Sequence, residues 1–359
     1  MSAPPSAPPS ATPTRPRLSA GVPGCGGAFK LSPEDFEVEE LPAYLPSGEG
    51  EHLFVRVEKR GRDTREVVRA LAAALGVPEG EVGVAGMKDR QAVTRQWLSV
   101  PARAEGKLES FALEGVRVLE ARRHGNKLRT GHLRGNRFRL RLRDVRDAGA
   151  ARESFAQLVA RGLPNYFGEQ RFGRAGDNAD LGRKLLLGER LPRRPDRFQR
   201  KLYLSAFQSR LFNAALAARL EAGTFAQALL GDVLRKEDTG GLFVCEAPEV
   251  DGPRVAAFEV SPAGPLFGPK MPKAAHAVAE AEAALLAAEG VTLEDLKARG
   301  GGETEGGRRA YRVRLGSPEL GAEGADLWLA FELPRGSYAT EVLHELLKDA
   351  GPELAAAGE

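Results

Sequence analysis

Asp89 stands between two cations, in Lys88-Asp89-Arg90, just after the apolar run Val82-Gly83-Val84-Ala85 and the glycine Gly86. A short apolar run ending at glycine reads as a buried strand giving way to a turn. A carboxylate at a strand end, with positive charge on both sides, is expected to stay ionised well below neutral pH, because nearby cations favour the charged form. That is the state a carboxylate nucleophile needs. A bare tripeptide of this kind also suits a solvated loop. The longer string Gly86-Met87-Lys88-Asp89-Arg90-Gln91-Ala92-Val93-Thr94-Arg95-Gln96 lifts Asp89 above that reading. Other chemistries find little support. The two cysteines, Cys25 and Cys245, have no CxxC partner, and the five histidines show no HxxxH spacing. Neither a metal site nor a disulfide framework is expected.

A second candidate function lies in the charge pattern. Net charge is only +3, but from Arg122 to Arg143 there are many arginines, with Lys127, His124 and His132, and no acid. Within that stretch Arg137, Arg139, Arg141 and Arg143 alternate with Phe138, Leu140 and Leu142. Period two predicts a half-buried strand, apolar on one face and basic on the other. An uncompensated arginine face suggests phosphate binding with release of condensed counterions. A further basic cluster runs Arg190, Arg193, Arg194, Arg197, Arg200 and Lys201.

The elements that must position these residues divide the chain. Its 359 residues, 42% hydrophobic and 28% charged, are enough for two domains of ordinary globular composition. No run approaches the roughly 20 apolar residues of a membrane span, and the start has no secretory signal, so a cytoplasmic location is expected. Residues 1–27, rich in Pro, Ala, Ser and Gly, are expected to be a disordered leader. Strands are expected near 36–40, 53–57, 82–85, 116–119 and 138–142. One helix interrupts them, capped by Asp63 with Glu66 and stopped by Gly76 and Pro78. From 162 to 312 the pattern turns helical, with a run capped by Ser205, an alanine-rich helix at 274–288 and a short helix capped by Thr292. A glycine-rich hinge at 300–307, a strand at 327–333 and a helix at 340–348 complete the pattern. Strands, helices, then strand again suggests a sheet domain of residues 28–161 and 313–359 with 162–312 inserted in it.

Other strings stand in order along the chain. Ser32-Pro33-Glu34-Asp35-Phe36 follows Lys30, and Gly135-Asn136-Arg137-Phe138 opens the arginine-faced strand. Pro164-Asn165-Tyr166-Phe167-Gly168-Glu169-Gln170-Arg171-Phe172-Gly173 opens the helical block, and Leu333-Pro334-Arg335-Gly336-Ser337-Tyr338-Ala339-Thr340 follows the last strand. With the Asp89 string, these resemble the TruD family of pseudouridine synthases over about residues 29–348. The resemblance implies an α+β fold: a pseudouridine synthase catalytic core around a mixed, largely antiparallel sheet, with an inserted TRUD domain and an RNA-holding cleft between. It implies an isomerase whose partner is tRNA and whose target is the uridine at position thirteen, notably in tRNA-Glu.

That reaction breaks the bond from N1 to C1′, turns the base and joins C5 to C1′, so no atoms enter and no cofactor or metal is required. Asp89 is expected as the nucleophile. The target base must leave its stack, so an aromatic face and a polar group for its edge are needed. Asn136 and Phe138, two apart on a strand, share a face and match the family's substrate contacts. Phe36 and Tyr338 match two more, Tyr338 standing where the family has phenylalanine. Lys30 is expected as the charge partner of Asp89 rather than Lys88 or Arg90, because adjacent residues of an extended segment point to opposite sides. Arg137, Arg139 and Arg141 are expected on the RNA backbone, and the protein is expected to act as a monomer. Two rival readings are a non-catalytic RNA-binding protein using the same basic face, and a nucleoside or nucleotide hydrolase that would release free uracil.

Overall fold

In the computed structural model, which describes residues 15–348, the first half of the chain is mostly strands: β1 (Ala28–Phe29), β2 (Phe36–Pro42), β3 (His52–Arg60), β4 (Gly83–Val84), β5 (Val93–Pro101), β6 (Val116–His124) and β7 (Leu133–Arg143). Helix α1 (Thr64–Leu75) begins where a reciprocal box forms between Asp63 and Glu66, and Gly76 closes it at φ 66°, a left-handed turn that glycine adopts without steric cost. Helix α2 (Ala148–Arg161) leads to β8 (Leu163–Pro164), α3 (Asn178–Leu187) and α4 (Arg197–Glu221). Next come β9 (Val233–Lys236), β10 (Leu242–Val244), α5 (Pro248–Ala256), β11 (Val260–Leu266), α6 (His276–Ala288) and α7 (Leu293–Gly300). The chain returns through β12 (Gly307–Ala310), β13 (Arg312–Val313), β14 (Gly316–Glu323), β15 (Asp326–Pro334) and α8 (Ala339–Leu347).

Two larger sheets result among the described residues. The nine-stranded one runs β14-β15-β7-β2-β5-β3-β6, with β1 on β7 and β4 on β5. Its pairings are antiparallel except β2 with β5. A four-stranded sheet, β10-β9-β11-β12, belongs to the helical part. The α+β fold with a mixed, largely antiparallel sheet is thus as expected.

One face of the large sheet carries the helices. Phe36, Val38, Phe138, Leu140 and Phe331 pack with α2 and α8. Leu53, Val55, Val57 and Leu98 pack with Val67, Leu71 and Leu75 of α1. Between the two patches lies the loop joining β4 to β5, which contains Asp89. The other face is charged across β7, β2 and the middle of β3 and β5, with a small apolar cluster of Phe54, Trp97, Ala85 and Leu128 toward one end.

Several elements differ from expectation. Residues 15–27 are not a loose leader: Leu18, Val22 and Cys25 are buried, and the amides of Leu18 and Ser19 donate to the Glu345 carboxylate of α8 at 2.8 and 3.0 Å. The apolar gain is small, but a buried carboxylate needs donors, and this segment supplies them. The rest of the expected leader, residues 1–14, lies outside the described residues. Ser205 does not cap its helix. Asp196 does, accepting from the Gln199 amide, because the basic first turns carry no apolar stripe to reveal them. Strands β5 and β14 and helix α2 were not anticipated. The expected hinge is instead the end of α7, a short 3-10 turn and the start of β12.

Candidate active site

The Asp89 loop is pinned through its backbone. Lys59, inward-facing on β3 and fully buried, donates from Nζ to the carbonyls of Arg62 (2.6 Å), Asp89 (2.8 Å) and Lys88 (3.2 Å). Thr64, first residue of α1, accepts from the Lys88 amide at 3.0 Å and donates to Gln96 Oε1 at 3.0 Å. Gln96 in turn donates to the Gly86 carbonyl at 3.3 Å. Two strands and a helix start therefore hold the loop before any side chain of it is placed.

The side chains then separate. Lys88 turns inward to Glu40 at 2.9 Å, and Arg90 is exposed, reaching the Gly61 carbonyl. Lys30 brings its Nζ to 3.7 Å from Asp89 Oδ2. The geometry thus places Lys30 where the sequence reading wanted a charge partner. Lys30 has φ 64°, a left-handed conformation that costs a lysine energy and that clusters at functional sites.

The electrostatic expectation is reversed. Burial pushes the Asp89 pKa up, and Lys30, Lys59 and Lys88 only partly offset it. Its side chain is 25% exposed, so lost hydration outweighs the cations. Burial likewise lowers Lys30 against the pull of Asp89, and brings Lys59 down to about 8.

Beside this pair the rings of Phe36 and Phe138 stack 6.2 Å apart at 9°. Lys30 Nζ sits 4.8 Å over the Phe36 ring, and Phe138 leans on Phe331 at 5.6 Å. Both site aromatics are nearly closed off, 5% and 6% exposed, so they are core residues as well as candidate wall. Asn136 shares their face, opposite Glu40 in register. Its Oδ1 is buried and without a hydrogen-bond partner among the described residues, as is Thr94 Oγ1. Such an atom costs about 1–3 kcal/mol unless something completes it.

Tyr338, half-buried, follows β15, where Leu333 pairs with Asn136. Its loop is tied to the helical part, since Arg309 donates to the Gly336 carbonyl at 3.0 Å and to Asn165 Oδ1 at 2.5 Å. Asn165 also donates to the Ala310 carbonyl at 2.9 Å, and Arg309 lies 4.2 Å over the Phe167 ring. The long string at 164–173 is therefore a joint between the Tyr338 loop and the helical part. Burial brings the Arg309 guanidinium down to about 10.

Sequence reasoning missed Lys59, Thr64, Gln96 and Arg309. For Lys59 a signal existed: it continues the inward set Leu53, Val55, Val57, where a lysine is out of place.

The arginine row is not uncompensated. Arg137 pairs with Glu332 at 2.6 Å, Arg139 with Glu37 at 3.6 Å and Arg141 with Asp326 at 2.6 Å. Arg139 also lies 4.1 Å over Trp328. The row looked uncompensated because its acids belong to β2 and β15. Period two turns it away from Asn136 and Phe138, so it lies on the opposite face of the sheet from the Asp89 loop.

Comparison with known proteins shows the family. The family description tRNA pseudouridine synthase D (TruD) matches residues 17–191 and 193–346. The tRNA pseudouridine synthase D of Anaeromyxobacter dehalogenans strain 2CP-1 is 57% identical over 339 residues, covering 93% of this chain and 96% of that one. A protein of the same name from Thermus thermophilus is 44% identical, covering 93% and 92%. A crystal structure of a Methanosarcina mazei chain named for TruD superposes with a TM-score of 0.77 over 94% of this chain and 96% of that one; at 24% identity it speaks for the fold. The chain belongs to the TruD family of tRNA pseudouridine synthases, isomerases that act on tRNA.

Proposed function

We propose that this chain isomerises the uridine at position thirteen of tRNA, tRNA-Glu included, with Asp89 as nucleophile and Lys30 as its charge partner. The observation that carries this reading is the Asp89–Lys30 pair on a loop fixed by Lys59. Such fixation lets a carboxylate act on a bound base without reorganising. The flipped uracil lies against the edge of Phe138 beneath Asn136, whose unpartnered amide oxygen accepts from the base edge. Tyr338 and Phe36 complete the aromatic surround. Attack at C1′ or at the ring needs the same placement of Asp89.

The catalytic domain in this proposal is 28–161 with 313–359, and 162–312 is the insertion. The large sheet draws its strands from 28–143 and 316–334 only, and the small sheet from 233–310, which supports that division. The protein acts as a cytoplasmic monomer. Among the described residues no helix is long and apolar enough to cross a membrane.

The test is a tRNA-Glu transcript carrying tritium at uracil C5. Wild-type protein should release label, and a transcript with cytidine at position thirteen should lose the portion due to that site. Equal release from both transcripts would refute the position. Release of free uracil would refute the isomerase.

A further inference from the structure

At one end of the large sheet, on the face that carries Phe54 and away from Lys59, lies a cavity of about 500 Å³ lined by Tyr44, His124, Asn126, Lys127, Arg129 and His132. The reaction as drawn does not use it. Three rings form one wall. Tyr44 stacks on His124 at 5.0 Å and meets His132 edge-on at 5.6 Å, and its hydroxyl shares a 2.7 Å hydrogen bond with His132 Nδ1.

The cations of this wall differ from those of β7. Arg129 is exposed, and neither Arg129 nor Lys127 has an acidic partner among the described residues. Among the described residues Lys127 Nζ donates to the Gly80 carbonyl. No acid lines the cavity.

The loop carrying these residues is bound to the catalytic one. The Gly131 amide donates to the Ala85 carbonyl at 2.8 Å. Ala85 precedes Asp89 by no more than ~14 Å of fully extended chain. An RNA strand whose target base is at Asp89 therefore reaches the cavity by passing round the end of the sheet, along the loop that joins Gly131 to Ala85.

We propose that this cavity binds a nucleotide of the substrate RNA flanking the flipped uridine, its base or ribose against the Tyr44–His124–His132 rings and its phosphate on Arg129 and Lys127. The proposal rests on the reading of Asp89 as the catalytic residue. Flipping one base out of a stack also strips its neighbour of a stacking partner. A second aromatic surface close by restores that contact and offsets part of the cost. Ring stacking is tolerant of sequence, so the site favours the distorted backbone over any particular base.

The experiment uses the full chain and the tRNA-Glu transcript, with affinity read by fluorescence anisotropy across a salt series. Arg129→Gln and Lys127→Gln should each lower the slope of log affinity against log salt by about one. Tyr44→Ala should weaken binding about fivefold or more, and Tyr44→Phe much less. Ultraviolet crosslinking of wild-type protein to the transcript should mark residue 44 or 124–132, which needs no variant to fold. If wild type releases tritium while slopes and affinities stay unchanged and no crosslink falls there, the cavity is not an RNA site and the catalytic reading stands. If wild type releases no tritium from any tRNA, both fall.

Discussion

Asn136 and Phe138 share β7 with Arg137, Arg139 and Arg141, yet the two sets end in opposite surroundings. On the helix-covered face polar groups are left incomplete: Asn136 Oδ1 and Thr94 Oγ1 lack partners, and the Asp89 pKa is pushed up by burial. On the other face charges are matched. Arg137, Arg139 and Arg141 find acids on neighbouring strands, and Arg56 pairs with Glu39 and Arg95 with Glu58 across the sheet. A completed ion network has little left to offer a ligand, whereas the orphaned amide of Asn136 and the buried carboxylate of Asp89 do. The same contrast separates the β7 arginines from Arg129 and Lys127, which are as basic in sequence and have no acidic partner among the described residues.

The contrast can be broken most sharply at Asp89. Asp89→Asn should lower tritium release by about a thousandfold or more while tRNA affinity stays within about twofold, since the acid acts mainly in the transition state. Turnover within about tenfold of wild type would move the chemistry elsewhere.

Phe138→Ala comes next. Tight packing on Phe36 and Phe331 predicts a stability loss of about 3–5 kcal/mol, read by thermal or denaturant unfolding. Where the variant is still folded, its rate should fall on the order of a hundredfold, more than its tRNA affinity, because the base loses its orienting wall. Phe138→Tyr should be milder. A stability loss with an unchanged rate would leave Phe138 as core alone.

Lys59 gives a medium effect and a pH signature. Lys59→Met should lower the rate about tenfold by loosening the Asp89 loop, with less change in KM. In the wild type Lys59 sits among Asp89, Asp63, Glu66 and Lys88, with its pKa brought down to about 8. Tritium release should therefore decline as pH rises through about 8, when the charge facing Asp89 is lost. Stability runs the other way. Between about 8 and the ordinary lysine value of 10.5 the unfolded chain binds more protons, so this group makes the fold more stable as pH rises. Activity and stability rising together across that window would contradict the assignment. The acid limb of the profile should lie above that of an ordinary carboxylate, since Asp89 is raised.

The smallest effect is expected on the charged face. Replacing Arg137, Arg139 and Arg141 together with Gln should leave the salt slope of tRNA binding unchanged and cost roughly 0.2–1 kcal/mol of stability per exposed pair. A slope reduced by about three units would show that this face holds RNA after all.

What could be read from the chain alone was what short range decides. The Asp63–Glu66 box, the stop at Gly76, the Thr292 cap and the alternation of β7 are local, because capping and pleating involve residues a few positions apart. The ordered strings also carried the family, and with it the fold. Packing of residues 15–27 escaped notice because its reason, the buried Glu345 carboxylate, lies at the far end of the chain.

The same division holds at the site. Sequence by itself determined that Asp89 follows a strand, that Asn136 and Phe138 share a face and that the arginines occupy the other. Only the tertiary structure decided that Lys30, rather than the flanking Lys88, lies nearest the Asp89 carboxylate, and that Lys59 clamps the loop from another strand. It alone matched the β7 arginines with acids and left Arg129 and Lys127 without them among the described residues. The physical reason is that ion pairing, burial and the pKa values that follow depend on neighbours brought together by strand register, and register is a property of the whole sheet.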